Sequence, residues 1–132
     1  KNYKYFISCV FFLFLFSCGF NEIIKISSYY YVVAVDSKDD KDICYKLEDG
    51  NYLGLIGGNL SNLFQYKKQL IAVKALSQED EKSFEYYYIE MYNFSTLYPE
   101  RGVQGPFTKF ELENFLRKYN NTFENFHPLK ID

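Results

Sequence analysis

Between Ile23 and Tyr92 every apolar run is short, rich in β-branched or aromatic residues, and closed by a turn signal. Such runs are too brief for stable helices and carry the period of a pleated surface, so this stretch is confined to strands. Ile23–Ile26 and Tyr29–Val35 are followed by a polar turn at Asp36–Asp42. Ile43–Glu48 alternates apolar with polar, Asp49-Gly50 is a hairpin signal, and Tyr52–Ile56 ends at Gly57-Gly58. Asn62–Tyr66 and Gln69–Leu76 flank a Lys67-Lys68 turn, and Phe84–Tyr92 follows a charged loop. Strands joined by tight turns with no helices between them predict an antiparallel meander.

One helix is signalled, near the end. In Gly105-Pro106-Phe107-Thr108-Lys109-Phe110-Glu111-Leu112, the Thr108 hydroxyl is placed to accept the Glu111 amide while the Glu111 carboxylate accepts the Thr108 amide, a capping box. Phe107 and Leu112 sit where a hydrophobic staple closes around that cap. Leu112, Phe115, Leu116 and Tyr119 then form one apolar stripe, ended by Asn120-Asn121. The expected architecture is an α+β domain: an antiparallel meander sheet of about five to seven strands with one C-terminal helix packed on it. The 132 residues suit one such domain. The segment from Asn121 to Asp132 carries Phe123, Phe126, Leu129 and Ile131 and is expected to be partly ordered against the sheet.

The first residues have a different character. Lys1 and Lys4 precede the uncharged run Tyr5–Phe16, which as a helix would span only about 18 Å against a ~30 Å hydrocarbon core. That is the size of a signal-peptide apolar region. Leu15-Phe16-Ser17-Cys18-Gly19 resembles the bacterial lipobox, with Phe16 bulkier than its position usually carries. The resemblance implies residues 1–17 as a removable signal, diacylglycerol on the Cys18 sulfur, and residues 18–132 as the mature domain in the bacterial cell envelope. An ordinary signal peptide or a short buried helix is the other reading of this segment. Cys44 is then the last free thiol, so no disulfide forms within the mature chain. Fifteen Lys and Arg less Lys1 and Lys4 leaves 13 against 17 Asp and Glu, a formal charge of −4. That balance gives no footprint for nucleic acid, and membrane attachment falls to the acyl chains.

Other parts of the chain are similar to a small family of bacterial lipoproteins known as domain of unknown function 3997. The matching residues are Tyr29-Tyr30-Tyr31-Val32, Ile43-Cys44-Tyr45, Leu70-Ile71-Ala72-Val73-Lys74, Tyr86-Tyr87-Tyr88-Ile89 and Gly105-Pro106-Phe107-Thr108, with Phe110 and Phe115 nearby. They cover roughly residues 18–120, and the stretch between Tyr92 and Gly105 holds more loop than the family pattern implies. The resemblance implies a membrane-attached, envelope-facing domain and supplies no catalytic residues.

Chemistry-bearing patterns are sparse. Asp36, Asp39, Asp40 and Asp42 crowd together, but an EF-hand needs alternating carboxylates, a central Gly and a closing Glu; a solvated turn interleaved with Lys38 and Lys41 fits better. His127 is the only histidine, so no Ser or Cys has an evident imidazole base. Gly54, Gly57 and Gly58 lack the Gly-Lys-Ser/Thr of a phosphate loop. No catalytic residue, metal site or cofactor is expected, and the domain reads as non-enzymatic. The tyrosines remain. With Tyr87, Ile89 and Met91 facing the core, alternation puts Tyr86, Tyr88 and Tyr92 on the opposite face with Glu90. There they form an interaction surface for an envelope protein partner, or they are covered by the helix, the tail or cross-strand rings. A small-ligand or glycan-binding module, or an inhibitor of a secreted hydrolase, is the alternative; a hydrolase comes third.

Overall fold

The computed structural model describes residues 22–34, 40–76 and 83–132. The signal segment, Cys18, residues 36–39 of the acidic turn and the 77–82 part of the charged loop lie outside them. Among the described residues nine strands form two antiparallel sheets. The first holds β1 (Glu22–Lys25), β2 (Tyr30–Ala34), β3 (Lys41–Lys46) and β4 (Tyr52–Ile56) in that order. The second runs β8 (Val103–Phe107), β7 (Phe84–Glu90), β6 (Gln69–Ala75), β5 (Leu60–Tyr66) and β9 (His127–Pro128). Helix α1 covers Lys109–Lys118. The α+β class with a C-terminal helix holds, but the meander divides at Gly57–Asn59 into two sheets.

Alternation explains the division. In the first sheet Tyr30 lies opposite Tyr45 and Val32 opposite Ile43, so these four side chains share one face. They meet Leu60, Leu63, Leu70, Ala72 and Ile89 of the second sheet, and Met91 just past β7, in the first core. The other face of the second sheet presents Ile71, Val73 and Tyr88 to Leu112 and Leu116 of α1 and to Phe126 of the tail. β6 is therefore covered on both faces, which is why Leu70-Ile71-Ala72-Val73 is a continuous apolar run rather than an alternating one. The layers are sheet, sheet, helix, with two cores between them.

α1 begins as its sequence dictates. Glu111 N donates to Thr108 Oγ1 at 3.1 Å, and Thr108 N donates to Glu111 Oε1 at 3.2 Å. Leu112 and Leu116 are buried, while Tyr119 at the end of the stripe is exposed and packs its ring 5.2 Å from Phe115. Thr108→Ala removes one half of this reciprocal pair and is expected to lower stability by about 1 kcal/mol. Urea unfolding of the two proteins measures it.

The tail is tied down at the free edge of β5. Phe64 pairs with Pro128, Gln65 with His127, and Leu129 N donates to Leu63 O at 2.8 Å. Phe126 faces the second core and Ile131 the first, so the tail wraps around the sheet edge. Asn121 anchors its start: the amide donates to Gln69 Oε1 at 2.8 Å, and its carbonyl accepts from Thr122 N and Asn125 Nδ2.

Candidate contact surface

The strand β7 sends its tyrosines to both faces as alternation requires, and tertiary packing then gives Tyr86, Tyr88 and Tyr92 three different fates. Tyr88 is 8% exposed under α1, its ring 4.9 Å from Phe115. Its hydroxyl donates to Glu90 Oε2. An exposed stripe centred on Tyr88 is therefore absent; the helix covers it. Tyr86 is half-buried beside the second core and lines an open recess with Phe64, Phe84 and Phe123. Tyr92 lies past the end of β7 and opens the loop-rich stretch noted above, whose side chains the sequence did not mark as a contact surface.

That loop, Tyr92–Tyr98, is held by two tyrosines of the first core. Tyr92 N donates to the Tyr30 hydroxyl at 3.0 Å, across 62 residues of sequence. The Tyr45 hydroxyl accepts from Thr96 N at 2.9 Å and donates to Phe94 O at 3.4 Å. Both rings are fully buried, 5.2 Å apart and nearly perpendicular. Their apolar bodies fill the core while their hydroxyls satisfy loop backbone that strand pairing does not reach. A turn of 3₁₀ helix, Pro99–Gly102, then returns the chain to β8. Backbone anchored in this way leaves the side chains pointing outward: Phe94 is 58% exposed, Leu97 76% and Tyr98 51%. The Phe94 ring packs at a tilt against Tyr92, centres 5.3 Å apart, and the Arg101 guanidinium lies 4.3 Å from the Tyr98 ring centre. Three large apolar side chains within five residues, fixed at the backbone and open to water, form a patch of the kind that marks contact sites.

The surroundings are polar and partly basic. Ser27, Ser28, Lys67, Lys68 and Asn93 border a shallow depression of about 210 Å³ floored by Met91 and Tyr92. The patch also has a definite place relative to the start of the domain. Lys25 pairs with Tyr31, beside the Tyr30 and Tyr45 end of the sheet, whereas Glu22 pairs with Ala34 at the other end. The loop and the entry of the chain into β1 thus lie at opposite ends of the first sheet.

Of the acidic turn, Asp40 and Asp42 are among the described residues. Asp42 Oδ1 accepts from Gly58 N at 2.6 Å and ties β3 to the turn after β4. The Cys44 thiol is pushed up to about 11 by burial and, second, by the Asp42 charge, so thiolate, the reactive form, is scarce at neutral pH. Burial likewise raises Tyr30 and, with the Glu90 hydrogen bond, Tyr88. All three acids are held neutral by the fold. Their contribution to stability is complete below their ordinary values of 9.0 and 10.0 and is lost as pH rises through the folded-state values. Two results are expected: melting temperature falls above about pH 9, and peptide mapping finds Cys44 alkylated at pH 8 about 100-fold more slowly than in urea, in line with its thiolate fraction. Equal rates in the two conditions would contradict this placement of Cys44.

Among the described residues no group of three His, Cys, Asp or Glu is arranged to hold a metal ion, and no helix is long and apolar enough to cross a membrane. Comparison of the chain with protein-family models, curated proteins and solved structures gives no match.

Proposed function

We propose that this chain is a membrane-anchored, non-catalytic binding domain of the bacterial cell envelope that engages a protein partner through the Tyr92–Tyr98 loop. The observation that carries the reading is the display of Phe94, Leu97 and Tyr98 on backbone tied to the buried Tyr30 and Tyr45 hydroxyls. Pre-organised apolar side chains lose little entropy on docking, and aromatic residues are enriched at the centres of protein interfaces. Lys67 and Lys68 beside the patch suit a partner whose apolar centre has an acidic rim. The lipobox-like Leu15–Gly19 segment supports the anchor. Acyl chains on Cys18, four residues before Glu22, would put the entry end of β1 toward the membrane and the loop away from it, within reach of a soluble or envelope-spanning partner.

The test is in-cell crosslinking at native expression, with affinity recovery and mass spectrometry, of the wild type and the Phe94→Ser, Leu97→Ser, Tyr98→Ser triple variant. One dominant partner, lost from the triple variant while urea stability stays within about 0.5 kcal/mol per exposed substitution, is the expected result. An unchanged set of recovered proteins would remove the loop as the contact site. Intact mass of the membrane-extracted protein tests the anchor separately: a mature chain without added acyl mass at Cys18 overturns that part alone.

A further inference from the structure

The second core is not fully closed by α1. At the end of the outer face of the second sheet, where Phe84 pairs with Ala75 and Tyr86 with Val73, a recess of about 210 Å³ remains. It is lined by the rings of Phe64, Phe84, Tyr86 and Phe123 and by Val73, with Asn62, Lys109 and the Tyr86 hydroxyl as its polar groups. Phe64 and Phe123 meet edge to face at 5.0 Å, so part of the wall is preset. The recess lies at the opposite end of β7 from the Tyr92–Tyr98 loop and stands independently of the reading above.

We infer that this recess is a binding site for a small aromatic carboxylate. The volume is below the roughly 300–1,000 Å³ of pockets that enclose drug-sized ligands, and suits one ring with a short substituent. Four rings offer edge-to-face and offset contacts to a fifth. A sugar, with a hydroxyl on most carbons, would find only Asn62, Lys109 and the Tyr86 hydroxyl as side-chain hydrogen-bond partners among the lining residues, and would leave its other hydroxyls facing aromatic rings. Lys109 supplies the charge selection. It is the first residue of α1, where the helix dipole disfavours a cation by about 0.3–1 kcal/mol; helix stability therefore gives no reason for a lysine at this position. Glu111, the nearest carboxylate in the helix sequence, is committed to the Thr108 amide. A carboxylate at the mouth of the recess would meet the ammonium while its ring lies among the phenylalanines.

The experiment is titration of the ¹⁵N-labelled full chain in detergent with phenylacetate, acetate and phenethylamine. Saturable amide shifts at Val73, Phe84, Tyr86 and Lys109 with phenylacetate are expected, with no saturation by acetate and weaker binding of the amine. Lys109→Gln should weaken phenylacetate about threefold, as expected for one solvent-exposed charge pair, and leave benzyl alcohol unchanged. Phe84→Ala, at a partly exposed wall position, should weaken both. Shifts that do not saturate, or an amine that binds as well as the acid, would overturn the proposal. So would binding of an N-acetyl-phenylalanine-terminated peptide alone, which would make the recess a reader of protein termini.

Discussion

Gly102→Ala should lower the stability of the domain by about 3 kcal/mol, the upper end of what an overpacked side chain ordinarily costs. A Cβ at position 102 would lie 2.4 Å from the carbonyl oxygen of Glu90 and 3.5 Å from Tyr92 Cε2. The first of these is backbone at the end of β7 and cannot rotate aside. Relief requires the 3₁₀ turn and the start of β8 to move away from β7, which breaks the Val103–Ile89 pairing next door. The substitution also strikes the return path of the candidate loop, since Pro99–Gly102 connects that loop to β8. Urea unfolding gives the magnitude, and amide shifts of Ile89 and Val103 show where the strain is released. A variant within about 0.5 kcal/mol of wild type, with those shifts unchanged, would mean that β7 and β8 do not approach as closely as described. Set against the serine triple variant, Gly102→Ala separates two effects on partner recovery: loss of the displayed side chains and loss of the frame that holds them.

Leu112→Ala carries the other large effect, an expected loss of about 2–5 kcal/mol. Leu112 is fully buried in the second core with Ile71, Val73, Tyr88 and Leu116. Removing its branched end leaves a cavity between a capped helix and a sheet that hydrogen bonds hold in register, so little collapse is available to offset the lost contacts. Phe110, two residues earlier and 69% exposed, is the matched control. Phe110→Ser should change stability by no more than about 0.5 kcal/mol. If the two variants unfolded alike, the face of α1 turned to the sheet would be assigned wrongly, and with it the covering of Tyr88.

Most strands were legible because their signals are local. Tyr30–Ala34, Lys41–Lys46 and Gln69–Ala75 follow from β-branched and aromatic residues between turn formers, and the Asp49-Gly50 turn gives the β3–β4 hairpin. β8 was missed for an equally local reason. Its Val-Gln-Gly-Pro-Phe sequence contains two residues that disfavour strands, and it is tolerated because β8 is an edge, where a missing N–H need not cost a ladder bond. The two-residue β9 has no sequence signature and exists because the tail finds the free edge of β5.

The candidate site divides along the same line. Residue order alone fixed the capping box of α1, the meander, and the assignment of Tyr86 and Tyr88 to one face of β7 with Tyr87 and Ile89 on the other, since each depends on neighbours within a few positions. Only the tertiary structure decided that the meander splits into two sheets, that α1 covers Tyr88, that a recess stays open at Tyr86, and that Tyr30 and Tyr45 hold the loop carrying Phe94, Leu97 and Tyr98. Those outcomes rest on contacts between residues as many as 62 positions apart. Strand periodicity states which side chains share a face; it carries no information about what arrives from elsewhere in the chain to cover that face.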